Sequence, residues 1–359
     1  MKSGQIEASI EDLFRKRVKK DDKIHNAFLM VHSEKLGINM NVAEGLTDGK
    51  PSNPNQPYFI ASVSKLFAAV LTAIFVEQGK LSFEDYITSH LDAELLSGMH
   101  IIDGRDYIHE VKIRHLLNHT SGLHDILEDT PKNAKGMREL IFEEPDRTWT
   151  PRSVLEWAKN NLTSHFPPGK GFHYSDTGYH LLGLIIEKVS GMPYHEALTA
   201  YIFEPCGMDH SSFANYSEPK VKPEHPLANL YGRNMDVSKY RCLTLMFAGG
   251  AIISTTNDQL KFMKALVNGE LISSETREQM KDWAKFFFGI DYGYGMMNFK
   301  TIPILMPKKY NAWGNAGSTG TFLFYHPSTE SYVIGGLNEM TYGQKGIRFM
   351  LKVVDKLTK

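Results

Sequence analysis

The chain is 359 residues long, with 40 basic and 41 acidic side chains and a formal net charge of -1. That balance gives no electrostatic reason to expect nucleic acid or an anionic membrane as a partner. With 42% hydrophobic and 23% charged residues it has the makeup of a globular protein with a sizeable core, in two domains or in one interrupted by an insertion.

Residues 5–20 place Ile6, Ile10, Leu13, Phe14 and Val18 on one helical stripe, which Asp21-Asp22-Lys23 ends. Residues 27–31 and 38–42 form a strand pair joined through Lys35-Leu36-Gly37. After a Pro/Asn-rich loop, an apolar run from Tyr58 meets a helix carrying Val63, Leu66, Phe67, Val70, Ile74 and Phe75, stopped by Gly79. A helix so apolar belongs in a core. From Lys80 to about Arg241 the chain turns to short helices, long loops and histidines. Here Ser82 with Asp85 predicts a helix cap, and Thr150-Pro151 a helix start. Pro167-Pro168-Gly169 breaks the chain before Tyr174-Ser175-Asp176 and a helix over 181–189. Beyond Gly249-Gly250 come a helix from Asn257 to Asn268, strands over 292–299, 321–326 and 331–337, and a terminal helix over 345–358. The two ends match in type. They predict one sheet domain from 1–80 and 245–359, with a mostly helical domain, 81–244, inserted.

Two cysteines, Cys206 and Cys242, exclude a disulfide framework and leave room for one bridge at most. No apolar run reaches transmembrane length and no signal-peptide core opens the chain, which predicts a cytoplasmic protein, or an extracytoplasmic one whose leader has been removed.

Ser62 stands where the strand-like run meets the apolar helix, with Lys65 three residues on and so on the same face. A serine hydroxyl attacks well only when a neighbour takes its proton, and burial among apolar groups makes a lysine easier to neutralise. Ser217-Glu218-Pro219-Lys220 has the same spacing but lies in a Pro-rich polar loop with no apolar helix behind it. Tyr174 is a second proton carrier if a nearby cation lowers its ordinary pKa of about 10. Taken alone, it is as well explained as a core tyrosine beside a capping aspartate. Late in the chain, Trp313-Gly314-Asn315-Ala316-Gly317-Ser318-Thr319-Gly320 suits an edge strand that a ligand approaches closely. The Ser318 amide would there join that of Ser62 as an oxyanion hole; the plain alternative is a glycine-rich turn. Lys2-Ser3-Gly4, in a fraying end, is no counterpart.

In this order and spacing, Ser62/Lys65, Tyr174-Ser175-Asp176 and 315–318 resemble the motifs of the serine β-lactamase and penicillin-binding-protein superfamily. The likeness is strongest to its β-lactamase-like esterase and DD-peptidase branch. His115-Leu116-Leu117-Asn118-His119-Thr120-Ser121-Gly122-Leu123 and Tyr292-Gly293-Tyr294-Gly295 extend it over residues 20–355. The resemblance implies an α/β (α+β), β-lactamase/transpeptidase-like fold: an antiparallel sheet flanked by helices, an inserted helical domain, and the site in the cleft between. It implies Ser62 as the acylated nucleophile, Lys65 as its base partner and Tyr174 as the second proton carrier. Asp176, Asn315, Gly317 and Ser318 would then surround the substrate, with no cofactor.

Two departures matter. The branch usually carries asparagine where Asp176 stands, and lysine or histidine where Asn315 stands. Together they move the site toward negative charge by up to about two units, each worth about 4 kcal/mol at contact distance near a surface. β-Lactams and D-Ala-D-Ala peptides bring a carboxylate that the missing cation would greet, unless Arg348 substitutes. A neutral ester fits better, and an aminoacyl ester with a free amine suits Asp176 best. The expectation is an esterase on small or D-aminoacyl (D-alanyl) esters, whether small molecules or derived from cell walls. DD-carboxypeptidase, D-aminopeptidase or weak β-lactamase activity is the alternative, and a non-catalytic ligand-binding module a third. An aspartate beside Lys65 would keep it protonated and help it lower the Tyr174 pKa, so the base stays open between the two. A rival of another class is a metal held by His115, His119, His124 and Asp125, the first two spaced four apart on a helix. No glutamate follows His115 as in the zinc-protease pattern, so packing explains these residues more simply.

Overall fold

In a computed structural model, which describes residues 3–302 and 307–359, the two ends of the chain meet in a nine-stranded antiparallel sheet. Strands β1 (Asn26–Ser33), β2 (Ile38–Thr47) and β3 (Lys50–Pro51) come from the start of the chain. Strands β4 (Ala284–Phe287), β5 (Ile290–Tyr292), β6 (Met297–Phe299), β7 (Trp313–Ala316), β8 (Phe322–His326) and β9 (Ser331–Gly336) come from its end. Their order is β4-β5-β6-β7-β8-β9-β1-β2-β3, and the β9–β1 ladder that joins the ends pairs Phe28 with Gly336 and His32 with Tyr332. Among the described residues, 81–244 add no strand to this sheet.

Six helices matter most here: α1 (Ser3–Lys19), α2 (Ser64–Glu77), α3 (Pro151–Asn161), α4 (Asp176–Ser190), α5 (Thr256–Asn268) and α6 (Gly343–Leu357). The two-residue period of β1 sends Ala27, Leu29 and Val31 to one face and Phe28 and Met30 to the other. The first set packs with Ile10 and Phe14 of α1 and Phe349 and Val353 of α6. The second packs with α2 and α5, where Phe67 stacks on Phe262 with ring centroids 3.8 Å apart. Helices cover both faces, which is why β1 is an unbroken apolar run. Every residue of α2 from Ser64 to Phe75 is buried, as a helix without a polar stripe requires. Each of Leu66, Phe67 and Val70 contributes about 1.5–3 kcal/mol by leaving water.

Several expectations needed revision. Ser82 and Asp85 do exchange cap-like hydrogen bonds, Ser82 N–H to Asp85 at 2.9 Å and Glu84 N–H to Ser82 Oγ at 3.2 Å. Only a turn follows, because the Ile87 N–H goes to the Val111 carbonyl at 3.0 Å and not back along a helix. The 292–299 run is two strands, β5 and β6, divided by a turn with Gly295 at φ 64°. Strand β7 is internal, although β6 pairs only with Trp313 and Gly314 and leaves the half running into Gly317 beside the cleft. Lys2 lies outside the described residues; Ser3 and Gly4 already belong to α1. Thr150 caps α3 as anticipated, accepting from Ser153 N–H at 3.1 Å. Cys206 and Cys242 are both free thiols, and no described helix is long and apolar enough to cross a membrane.

Candidate active site

Ser62 lies in a single 3-10 turn, Ala61–Val63, directly ahead of α2. Ala61 before it has φ 48°, a strained value for a residue with a side chain. The strand wall holds that conformation. Thr321 Oγ1 donates to the Ile60 carbonyl at 2.9 Å, and Gly317 packs so closely that a Cβ there would meet Ala61 Cβ at 2.8 Å and Thr321 Oγ1 at 2.3 Å. Gly317 therefore joins the first and third motifs through close approach, a contact that only glycine permits.

Lys65 is fully buried. Its ammonium donates to the Gly249 carbonyl at 2.8 Å, lies 3.3 Å from Ser62 Oγ, and forms an ion pair with Asp176. These three partners match its three N–H donors, which is what makes a buried ammonium tolerable. Gly249 makes room for the pair: a Cβ there would fall 2.5 Å from Asp176 Oδ1 and 3.3 Å from Lys65 Nζ. Read in the sequence only as a boundary, Gly249 is the missed component of the site.

Asp176 opens α4, whose N-cap is Ser175, accepting from Gly178 N–H at 3.1 Å. The Asp176 backbone N–H donates to Asp125 Oδ2 at 3.1 Å, and Asp125 also accepts from Leu127 and Glu128 N–H at 2.6 and 3.1 Å. Burial and then the Asp176 charge push the Asp125 carboxyl upward.

Tyr174 stands beside the Ser62 hydroxyl, with Lys65 Nζ 4.9 Å from its ring centre. Burial and then the Asp176 carboxylate push this phenol well above its ordinary value, and the Ser62 contact only partly opposes them. This reverses the expectation of a lowered Tyr174, because burial, and after it the Asp176 carboxylate, outweighs any nearby cation. His119 supports the phenol from behind: its ring lies 4.1 Å from Tyr174 and 4.7 Å from Tyr292, and its Nδ1 accepts from Ser175 N–H at 3.0 Å.

Asn315 is fully buried and faces its own sheet region. Its amide donates to Tyr292 OH at 3.2 Å and to the Gly295 carbonyl at 2.7 Å, and its Oδ1 accepts from Ala316 N–H at 2.7 Å. A small pocket of ≈ 40 Å³ beside the nucleophile is lined by Ser62, Asp176, Ser318, Thr319 and apolar side chains that include Leu127, Met246 and Met340. Asp176 is its only charged lining residue among the described ones. Arg348 does not substitute for the missing cation; it lines a separate groove between α1 and α6 with Lys16 and Lys352.

The residues of the rival metal reading do not gather as a ligand group, which leaves packing as the explanation preferred from the sequence. His115 and His119 do not share a helix, since Ile113–Leu117 ends first and His119 sits at φ 60°. The His115 Nδ1 accepts from Lys112 N–H at 3.1 Å, and Asp125 serves the backbone donors named above.

Comparison with known proteins agrees with this fold. Penicillin-binding protein 4* of Bacillus subtilis is 30% identical over 267 residues, covering 70% of this chain and 54% of its own length. The putative penicillin-binding protein PbpX of the same organism is 26% identical over 304 residues, 81% of this chain and 67% of its own. The chain thus spans only about half the length of the first of these relatives. Among solved structures, a D-stereospecific amidohydrolase from Streptomyces sp. superposes with a TM-score of 0.79 at 21% identity, covering 95% of this chain and 97% of that one. An octameric penicillin-binding protein homologue from Pyrococcus abyssi gives 0.76 at 25% identity, over 100% and 78%. The family model described as Beta-lactamase matches residues 16–351, and the chain belongs to that family of serine hydrolases.

Proposed function

We propose that this protein hydrolyses small esters whose acyl group carries an amine, D-alanyl esters foremost, through an acyl-enzyme on Ser62. The observation that carries this reading is the pocket beside Ser62: small, largely apolar, and charged only by Asp176. A substrate carboxylate would meet a like charge there, whereas an ammonium next to the scissile carbonyl would meet an opposite one. The D configuration draws support from names. Relatives in Salmonella, 24% identical over 312 residues, are named putative D-alanyl-D-alanine carboxypeptidases, and an Ochrobactrum anthropi structure with a TM-score of 0.77 is a D-amino acid amidase.

The proton route follows from the contacts. The substrate ammonium is selected by the charged form of Asp176 on entry. Passing one proton from Lys65 Nζ to Asp176 Oδ1 then leaves a neutral amine 3.3 Å from Ser62 Oγ and an Asp176 oxygen that still accepts a hydrogen bond from the substrate. As Oγ bonds to the ester carbonyl carbon, that amine takes the serine proton, and the amides of Ser62 and Ser318 receive the oxyanion. Tyr174, held as a neutral phenol, gives its proton to the departing alkoxide and is reprotonated from Lys65. Water then releases the acid by the reverse exchange.

Aryl esters of D-alanine, L-alanine and acetic acid, compared with benzylpenicillin, test the reading. The expected rank is D-alanyl, then acetyl, then penicillin. Penicillin turnover faster than acetyl-ester turnover would overturn the charge argument, and full activity in Ser62→Ala would overturn the nucleophile.

A further inference from the structure

We propose that Asp129, His165 and His173 form a binding site for one zinc-class divalent ion, separate from the residues that do the chemistry. Their ligand atoms all lie within 4.8 Å of one another. His165 Nε2 is 2.8 Å from Asp129 Oδ2, and His173 Nε2 is 3.2 Å from both carboxylate oxygens. Zinc–nitrogen and zinc–oxygen bonds of 2.0–2.1 Å put neighbouring corners of a tetrahedron roughly 3.3 Å apart, which the nitrogen–oxygen spacings match.

Two imidazole nitrogens and a carboxylate converge on one point. Asp129 Oδ2 accepts from Asp125 N–H at 2.8 Å, which leaves both Nε2 atoms facing the carboxylate's remaining lone pairs. The imidazole rings stack with centroids 3.6 Å apart. An ion would take both Nε2 lone pairs and share the carboxylate, with the two rings swinging apart to aim at it. The backbone under the ligands is fixed, the His165 main-chain N–H donating to the Gly122 carbonyl at 2.8 Å and the His173 main-chain N–H to the His119 carbonyl at 3.0 Å, while Asp125 N–H orients the carboxylate. Side-chain exposures of 16% for Asp129, 24% for His173 and 37% for His165 leave an open side for a water as fourth ligand. Two imidazoles and one carboxylate suit zinc over magnesium or calcium, which prefer all-oxygen shells.

The ion would be a positioning element. His173 adjoins Tyr174, and Asp129 holds Asp125, which in turn holds the Asp176 backbone. One ion thus ties together the two segments that place the proton carriers.

Calorimetric titration of the chelator-stripped full chain with Zn²⁺ is the test, with the visible absorption of tetrahedral Co²⁺ as a second readout. One ion per chain is expected. Affinity should fall by more than about 100-fold in His173→Ala and in Asp129→Asn, beyond the loss typical of outer-shell partners. It should stay unchanged in His109→Ala, which removes an exposed histidine elsewhere. Zinc should raise the melting temperature of the unaltered protein and of His109→Ala alone. Absence of stoichiometric binding, or binding that survives both ligand substitutions, overturns the site. Neither readout depends on hydrolysis, so the outcome is independent of the esterase reading.

Discussion

The two walls of the cleft handle charge in opposite ways. The helical wall buries Lys65, Asp176 and Asp125 within one network, whereas the strand wall from Asn315 to Thr319 contains no ionisable side chain. Charges removed from water are tolerable only when paired, so the helical wall is locked by reciprocal contacts, and the proposed proton route runs inside it through Ser62, Lys65, Asp176 and Tyr174. The strand wall offers backbone and neutral side chains: Gly317 gives close approach to Ala61, Ser318 presents its amide, and Asn315 is satisfied inside the sheet. On the proposed function, substrate charge would be selected on one side and carbonyl geometry on the other.

Lys65→Met should break the comparison most severely. Turnover should drop by at least about 10⁴-fold, and stability by about 3–5 kcal/mol because Asp176 is left buried without its partner. Adding Asp176→Leu should restore much of the stability and none of the activity. Denaturant melts that find Lys65→Met as stable as the unaltered protein would remove the locked-wall account.

Acid should weaken the helical side next. Burial above all holds His115 and His124 at about 4 in the folded state, below the ordinary value of 6.5. The unfolded chain then binds more protons between those values, so stability is complete above pH 6.5 and is lost as pH falls toward 4. The loss is roughly 3 kcal/mol per histidine, and the raised Asp125 carboxyl, which takes up a proton in the folded state over the same range, offsets part of it. Denaturation midpoints at pH 7, 5.5 and 4 measure it, and a flat profile would contradict the burial of neutral imidazoles.

Asp176→Asn should lower kcat/KM for D-alanyl esters relative to acetyl esters by about 10-fold, as one charge contact worth about 1.4 kcal/mol is lost. The ratio separates recognition from any general loss of proton transfer. Placing a cation on the other wall is the smallest change. Ser318→Lys, at an exposed position lining the pocket, should raise acylation by benzylpenicillin relative to acetyl ester by about fivefold, the worth of an exposed ion pair near 1 kcal/mol.

The elements with strong periodicity were legible in the sequence: β1, α2, α4 and α6 lie where their apolar spacing put them, because burial decides both pattern and structure. The division of 292–299 was not, since Gly293 and Gly295 leave the apolar pattern nearly intact while one turns the backbone. Ser62, Lys65 and Tyr174 come together as their motifs suggested, yet the direction of the Tyr174 shift was missed because it depends first on full burial of the phenol and then on the Asp176 carboxylate, both set by tertiary packing. Gly249 and the contact between Gly317 and Ala61 are long-range packing facts, for which no local signal exists. The histidines told a similar story: spacing pointed to His115 and His119, whereas folding gathered His165 and His173 around Asp129.

Intact-protein mass spectrometry after brief exposure to an aryl D-alaninate addresses the central claim most directly. The account predicts one D-alanyl adduct on Ser62, absent in Ser62→Ala and formed faster than any benzylpenicillin adduct. An adduct that persists in Ser62→Ala, or that forms faster with penicillin than with the D-alanyl ester, would contradict it.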